Sequence, residues 1–434
     1  MLRKHLNGIH VPHHKNTSDC ATVTMPVPDS VAISLLQHMG APDKPLVKAG
    51  DEVKVGQLIA DSDAFLSAPI HSSVSGVVKG FEDYITPTGQ RTQSIIIEAD
   101  KLQTVSETVA PPHVTNRQEF ISAIQRSGLV GLGGAGFPAH IKLNPKNLDE
   151  VDTLVVNGAE CEPYITADNR ELLENGEGVL EGIDQVCKYL DIKAVRIGIE
   201  DNKPEAIAHM KQLIAGRPGY EVKALRARYP QGAEKVIIYE CTGRVVPEGK
   251  LPADAGVLVM NVSSVAFVAQ YLKTGMPLIN KRLTVDGSAV KEPKNVLVPI
   301  GTRMIDVINF CGGYKSEPRL LLMGGPMMGT AIYDDTYSVI KNNNAILAFD
   351  KKDAPDIQET ACIRCGRCVN ACPINLMPAA IERAYKLKDV ESLKDLKVNL
   401  CMECGCCAFV CPAKRNLVQT NKLSKKLLRE SSKK

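Results

Sequence analysis

The feature that most constrains this chain of 434 residues is a cysteine motif that occurs twice toward its C-terminal end. Each copy has the spacing C-x2-C-x2-C-x3-C-P. A [4Fe–4S] cube carries four irons, and each iron needs a thiolate ligand. Two-residue gaps let one tight loop reach three corners of a cube, so the spacing predicts two iron–sulfur clusters. The predicted ligands are Cys362, Cys365, Cys368, Cys372, Cys401, Cys404, Cys407 and Cys411.

The two copies are expected to exchange ligands, because in bacterial two-cluster ferredoxins the fourth cysteine of each run binds the other cluster. One cluster would then be held by Cys362, Cys365, Cys368 and Cys411, and the other by Cys401, Cys404, Cys407 and Cys372. Structural zinc fits this spacing poorly, because zinc sites generally pair two short C-x2-4-C units around one ion. Cys406 and the five cysteines that lie singly are expected to have no ligand role.

Composition is ordinary for a globular protein and narrows the choice of partners. A net charge of +3 with 23% charged residues argues against wholesale nucleic-acid binding. The basic start lacks a following apolar stretch, which predicts no signal peptide and a reducing compartment that disfavours disulfides. Residues 255–272 are uncharged, but their polar residues favour a strand followed by a capped helix over a membrane span.

Two patterns predict the first modules of the chain. Residues 41–100 alternate apolar and polar residues between glycine turns, which indicates a small β-sandwich similar to biotinyl and lipoyl domains. Its hairpin lacks a carrier lysine, so we expect a structural role. Residues 113–275 alternate strand-like and helix-like runs, which predicts a mostly parallel sheet covered by helices. Residues 171–190 form the first of these helices, with an apolar stripe at Val179, Ile183, Val186 and Leu190.

The remaining segments are less distinctive. Residues 276–350 combine short strands with one helix, which predicts a small α+β module. Residues 421–434 carry six basic residues and one acid, and we interpret them as a solvated end rather than a docking helix. The first 14 residues include His5, His10, His13 and His14, and a solvated or subunit-docking arm is favoured there over a metal site.

A glycine-rich loop and a pair of acids suggest a second site. Residues 131–138, here called the glycine loop, contain G-x-G-x-x-G, whose exposed backbone N–H groups admit a flat or anionic ligand. Lys142 follows and could neutralise a phosphate, and Glu160 and Glu162 follow a predicted strand at the edge where such sheets bind ligands. A tight structural turn and a solvated acidic loop remain the alternatives at this point.

These motifs resemble a known family. The run G-x-GGAGFP…K followed by N-x-x-E-x-EP is similar to the flavin-binding subunit of respiratory complex I and to hydrogenase diaphorase subunits. Tyr229 to Glu234 resembles its Y-x-x-G-E-E segment, and Asn261 to Ser264 resembles its N-V-E-T segment. The chain departs from that family at Ala159 and Ala233, where the family has acids, and in carrying two full ferredoxin motifs instead of one cluster motif.

The complete arrangement is closer to the RnfC family of Rnf complexes, which also shares the N-terminal G-I-H-x-P-x-x-K at residues 8–15. This resemblance implies a multidomain α/β and α+β fold. It divides the chain into a barrel-sandwich (lipoyl-like) domain with its N-terminal segment at 1–112, a Rossmann-like FMN- and NADH-binding domain at 113–275, a β-grasp (SLBB-like) domain at 276–350, a double [4Fe–4S] ferredoxin-type domain at 351–420 and a basic tail at 421–434.

The resemblance also implies cofactors and site residues. FMN, NAD(H) and two [4Fe–4S] clusters would carry electrons without a catalytic acid–base residue. FMN would be lined by Gly131, Gly133, Lys142, Asn157, Gly232 and Asn261, and FMN or NAD(H) would contact Phe137, Glu160, Glu162, Tyr229 and Glu234.

The implied activity is that of an NAD-dependent oxidoreductase component in a membrane-bound, ion-translocating ferredoxin:NAD oxidoreductase. Its partners would be the RnfA, RnfB, RnfD, RnfE and RnfG proteins of such a complex, with ferredoxin acting indirectly and no nucleic acid involved. The chain would be a peripheral subunit at the cytoplasmic face of the bacterial cell membrane. The alternatives are a soluble corrin (cobalamin) reductase, which would lack the N-terminal G-I-H-x-P segment, and a non-enzymatic ferredoxin-like adaptor with a purely structural glycine loop.

Overall fold

The computed structural model describes residues 6–431, and the strands of this part of the chain fall into four sheets. Its first strands are β1 (Val23–Thr24), β2 (Ser30–Ser34), β3 (Lys44–Pro45), β4 (Glu52–Val53), β5 (Leu58–Asp61), β6 (Ile70–His71), β7 (Gly76–Ile85) and β8 (Arg91–Ala99). Two sheets, in the orders β2-β8-β7-β4 and β3-β5-β6, enclose a core that includes Ile33, Ile59 and Ile95. This confirms the predicted barrel sandwich.

A parallel sheet covered by helices forms the second module, as predicted. Its elements are α1 (Arg117–Arg126), α2 (Ala139–Lys142), β9 (Thr153–Gly158), α3 (Ala167–Glu174), α4 (Gly176–Leu190), β10 (Ala194–Glu200), α5 (Pro204–Leu213), β11 (Tyr220–Leu225), α6 (Glu234–Thr242), β12 (Val257–Asn261) and α7 (Val262–Thr274), with short 3-10 turns at Leu148–Glu150 and Pro252–Ala255. The strand order is β11-β10-β9-β12, and each neighbouring pair is parallel.

Two sequence predictions about this module have definite outcomes. The single helix predicted over 171–190 is wrong: Asn175 leaves the helical region, with φ −136° and ψ 33°, and separates α3 from α4. Asparagine is a weak helix former, and here its Nδ2 donates to the side-chain Oε1 of Glu171 at 2.6 Å. The predicted stripe from Val179 to Leu190 is buried. The uncharged segment 255–272 contains β12 and most of α7, and within residues 6–431 no helix is long and apolar enough to cross a membrane.

The third module is a mixed sheet with one helix, which confirms the predicted α+β pattern. It contains β13 (Asn280–Asp286), β14 (Lys294–Pro299), α8 (Met304–Phe310), β15 (Leu320–Met323), β16 (Thr330–Ile332) and β17 (Ala345–Phe349). The order is β1-β14-β13-β17-β15-β16, so β1 leaves the N-terminal module and pairs with β14 in parallel. A strand from the N-terminal part of the chain therefore completes this sheet.

The cysteine motifs lie in a small helical module. Its elements are α9 (Arg367–Asn370), α10 (Pro378–Lys386), α11 (Val390–Asp395), a 3-10 turn (Val398–Leu400), α12 (Cys406–Phe409) and α13 (Leu417–Ser431). The interpretation of the basic tail as a solvated end is wrong as far as residue 431: α13 packs on α10 and α11. Helical spacing gathers its buried residues on one face, and these are Leu417, Asn421, Ser424 and Leu428. Residues 432–434 lie outside the described part.

The described part of the N-terminal arm packs along the α/β module, while His10 and His14 remain exposed. Residues 6–20, here called the N-terminal strap, run across the α/β module, and Ile9 pairs with Tyr229 as an antiparallel bridge. Ile9 and Val11 are buried because they pack against Tyr229 and Cys161. His14 stacks on Tyr164 with ring centroids 4.8 Å apart. His5, one of the four histidines of the predicted arm, lies outside the described residues.

Candidate functional site

The glycine loop is a closed turn held by three modules. The N–H of Gly131 donates to the carbonyl of Phe137 at 2.8 Å, which closes the loop. The N–H of Met39, from the barrel sandwich, donates to Gly136 O at 2.9 Å, and Asn342 Nδ2, from the third module, donates to Gly134 O at 2.6 Å. These contacts fix the backbone of the glycine loop, in which glycine residues are exposed.

Gly133 is packed closely against the side chain of Asn261. A Cβ atom there would stand 3.1 Å from Nδ2 of Asn261, tighter than ordinary contact. Asn261 caps α7, since its Oδ1 accepts from the N–H of Ser263 at 3.0 Å, and its Nδ2 donates to Asp168 Oδ2 at 2.6 Å. The loop therefore lies on the N-terminus of α7, where backbone N–H groups and the helix dipole favour an anion.

The carboxyl ends of the central strands bring more predicted site residues to this place. Asn157 and Asn261 are register partners on β9 and β12, so they stand side by side. Asn157 Nδ2 donates to Gly232 O at 2.9 Å, which ties the 229–234 loop to the strand end. Lys142 Nζ lies 2.6 Å from Glu234 Oε1, and both side chains are partly exposed. The structure thus brings together the whole set predicted to line FMN.

Two of the predicted acids are bonded to backbone groups. Glu160 accepts from the N–H groups of Asp168 and Asn169 at 2.6 and 3.2 Å, at the start of α3. Glu162 accepts from the N–H groups of Met327 and Met328 at 2.9 Å each, and so binds the loop after β15. Burial raises the pKa of each carboxyl to about 7. Glu160 also adopts a φ of +49°, an uncommon conformation for a residue with a side chain.

Four buried charges at this site were missed by the sequence reasoning. Lys15 Nζ, from the N-terminal strap, donates to the carbonyls of Glu160, Glu162 and Ile165 at 2.8, 2.9 and 2.5 Å. Lys203 Nζ donates to Ala159 O at 2.8 Å, and Lys281 Nζ donates to Leu132 O at 3.2 Å. The fourth is Asp168, which holds Asn261 and Ser263.

Burial lowers the pKa of Lys15 and of Lys281 to about 8. Burial also raises the pKa of Asp168. A signal for Lys15 existed, because it is the lysine of the G-I-H-x-P-x-x-K motif.

Predicted ligands from both cysteine motifs lie together around one cavity. Cys372, Cys401, Cys404 and Cys407 line one cavity, although Cys372 comes from the other motif. Backbone N–H groups of Leu376 and Glu403 donate to the sulfurs of Cys372 and Cys401 at 3.3 and 3.4 Å. Within residues 6–431, no group of three or more His, Cys, Asp or Glu is arranged to hold a single metal ion. The four thiols instead surround the cavity. Four thiols with N–H donors around one cavity fit an iron–sulfur cube.

The second ligand set is more open. Cys368 and Cys411 both pack against the buried cluster around Leu417, whereas Cys362 and Cys365 are exposed. The crossed assignment of both sets stays a prediction.

Tyr229 joins the α/β module to the buried ligand set. It is fully buried in a cluster with Ile9, Cys161, Cys404 and Cys406, against which Met327 packs. Cys406 Sγ approaches Tyr229 O at 3.9 Å, and Gly232 N–H donates to Cys161 Sγ at 3.2 Å. The set containing Cys404 is therefore the one adjacent to the predicted flavin site, and we call it the flavin-proximal set.

Comparison with protein families assigns each module. Residues 4–102 match the RnfC barrel sandwich hybrid domain, 124–270 the Nuo51 FMN-binding domain, 282–331 the SLBB domain and 354–412 the 4Fe-4S dicluster domain. These matches confirm the predicted fold class and cofactor types. Our domain boundaries stay predictions.

Several curated proteins are similar over most of the chain, and each is the C component of an oxidoreductase complex. The chain is 44% identical over 385 residues to that of the proton-translocating ferredoxin:NAD(+) oxidoreductase complex of Clostridium ljungdahlii, covering 88% of this chain and 84% of that protein. It is 41% identical over 383 residues to the Na(+)-translocating counterpart of Acetobacterium woodii, covering 86% and 85%. It is 38% identical over 396 residues to that of the ion-translocating oxidoreductase complex of Rhodobacter capsulatus, covering 88% and 75%.

A solved structure, the air-oxidized NAD+-reducing [NiFe]-hydrogenase, shares the fold with a TM-score of 0.51 and 18% identity. The similarity covers 73% of this chain and 63% of the hydrogenase chain.

Proposed function

The chain belongs to the RnfC family of ion-translocating oxidoreductase complexes, and we propose that it is the NAD(H)-reactive component of such a complex. It passes electrons between NAD(H), FMN and two [4Fe–4S] clusters. The observation that carries this proposal is the buried cluster in which Tyr229 of the α/β module packs with Cys404 of the flavin-proximal set.

The residues present fit FMN. Gly131 and Gly133 expose backbone without side chains beside the N-terminus of α7, which suits a phosphate and a flat ring. Lys142 lies at the same edge and supplies positive charge, while Glu234 holds its ammonium. Asn157, Gly232 and Asn261 complete the lining. A bound flavin accepts a hydride as two electrons and releases them singly to one-electron carriers.

Glu160, Glu162 and Tyr229 act on this site by fixing its backbone. Glu160 fixes the start of α3, and Glu162 fixes the loop at Met327 that packs on the flavin-proximal set. Phe137 closes the glycine loop through its carbonyl. We propose that NAD(H) binds on the open side of this loop, where Phe137 and Glu234 are partly exposed.

The two ligand sets have different places in the electron path. The flavin-proximal set exchanges electrons with the flavin, since it adjoins Tyr229. The other set, with Cys362 and Cys365 exposed, exchanges electrons with the partner proteins RnfA, RnfB, RnfD, RnfE and RnfG, and through them with ferredoxin. We propose that this electron path lies at the cytoplasmic face of the bacterial cell membrane. Similarity to the proton- and Na(+)-translocating relatives supports an ion-translocating complex as its setting.

Anaerobic purification of the chain with two variants tests the cofactor assignment. Wild type should carry one flavin and about eight irons per chain. Gly133→Val should lose flavin and keep iron, because its side chain would collide with Asn261. Cys404→Ser should lose about four irons and keep flavin. A wild-type protein that carries iron but no flavin, and whose absorbance NADH does not bleach, would instead support a ferredoxin-like adaptor. Corrin reduction by NADH without any association with integral membrane partners would support the corrin reductase.

A further inference from the structure

The C-terminal helix α13 contacts the flavin-proximal set although it lies beyond the last predicted ligand, Cys411. It also lies outside residues 354–412, which match the dicluster domain. Asn421, at the second turn of α13, lines the same cavity as Cys372, Cys401, Cys404 and Cys407. The helix therefore contributes a side chain to a cluster site that the cysteine motifs alone do not define.

Asn421 is oriented by a hydrogen bond to a ligand sulfur. Its side-chain Nδ2 donates to Cys401 Sγ at 3.4 Å, and the residue is 1% exposed. Its Oδ1 is buried without a hydrogen-bond partner. A buried amide that leaves its oxygen unsatisfied costs free energy, so packing alone is a poor reason to have this residue here.

A second side chain on the same helix face holds the same ligand loop. Lys425, one turn further along, donates from Nζ to Cys401 O at 3.1 Å and lies 2.5 Å from Glu403 Oε1. The backbone N–H of Glu403 in turn donates to Cys401 Sγ at 3.4 Å. The position of the Cys401 sulfur relative to Asn421 is thus fixed from two directions.

We propose that Asn421 is a positioning residue that raises the reduction potential of the flavin-proximal cluster by donating its amide hydrogen to the Cys401 thiolate. The inference rests on the cluster assignment in the proposed function. Reduction adds negative charge to the cluster, and a hydrogen bond to a ligand sulfur stabilises that charge, so it raises the potential. The flavin-proximal cluster therefore has a higher reduction potential than its cysteine ligands and backbone N–H donors alone would give it.

The test is a redox titration of the anaerobically purified chain monitored by electron paramagnetic resonance. Asn421→Leu keeps the volume and removes the donor, and Asn421→Asp replaces the donor with an acceptor. The control is Gln419→Leu on the exposed face of α13. The step that belongs to the flavin-proximal cluster is identified as the one missing from Cys404→Ser.

Both Asn421 variants should shift that step to a more negative potential, with the larger shift for Asp, while the other step and the Gln419→Leu titration stay unchanged. Unchanged potentials in both variants would overturn the proposal. Equal shifts of both steps with loss of iron in both variants would also overturn it, because they would show a structural role. If one variant loses iron, the other decides. Wild-type iron and flavin contents are measured separately, so a failure of the proposed function is distinguishable.

Discussion

Lys15 provides the sharpest test of how the N-terminal strap organises the site. Its ammonium group is buried and donates to the carbonyls of Glu160, Glu162 and Ile165. Leaving a buried acceptor unsatisfied costs about 1–3 kcal/mol. The low end of that range, applied to three carbonyls, predicts that Lys15→Met lowers the local opening free energy of the 160–169 segment by about 3 kcal/mol. We use the low end because removing a buried cation also relieves its desolvation.

Hydrogen exchange measured by mass spectrometry on peptides covering 160–169 checks this value. The segment includes the N–H of Tyr164, which donates to His13 O, and the N–H groups of Asp168 and Asn169, which donate to Glu160. A loss of about 3 kcal/mol makes exchange about a hundredfold faster when opening is rapid and reversible. The exposed lysine variant Lys48→Met is the control. Equal protection of 160–169 in Lys15→Met and Lys48→Met would refute the reasoning.

Two further predictions concern the ligands and the buried acids. Cys372→Ser should leave about four irons. It should abolish the cluster held by Cys401, Cys404 and Cys407 rather than the one held by the other cysteines of its own motif. Loss of the same cluster signal that Cys362→Ser loses would contradict the crossed assignment. The raised pKa of Glu162, about 7, means that the folded protein binds more protons than the unfolded one between about pH 4.5 and 7, so stability falls as pH rises through that range. Glu162→Gln should reduce the fall in thermal midpoint with rising pH. An unchanged slope of thermal midpoint against pH between pH 5 and 7 would contradict this reasoning.

Features encoded by local spacing were predictable from the sequence. The cysteine intervals define the loops that reach the corners of a cube, and the strand runs place Asn157 and Asn261 at carboxyl ends that become neighbours in a parallel sheet. The sequence also correctly predicted the strand and helix in 255–272, because the polar cap at Asn261 interrupts the apolar run. Each of these signals lies within one element or one short motif.

Features that depend on docking between modules were not predictable in this way. Lys15 meets Glu160 only because the strap crosses the α/β module, and Glu162 meets Met327 only because the third module packs beside it. The spacing of two acids after a strand predicted a ligand contact, which stays a prediction, but it did not reveal that both carboxylates accept from backbone N–H groups. For α13, its many charges suggested a solvated end, whereas its spacing at residues 417, 421, 424 and 428 produces a buried face.

The central claim is that electrons from NADH reach the clusters by way of the flavin site, and anaerobic stopped-flow spectroscopy tests it directly. On mixing wild type with NADH, flavin absorbance should bleach first and cluster absorbance should follow. In Gly133→Val, NADH should leave the clusters oxidised although dithionite reduces them. Reduction of the clusters by NADH at the wild-type rate in a flavin-free Gly133→Val preparation would contradict the account.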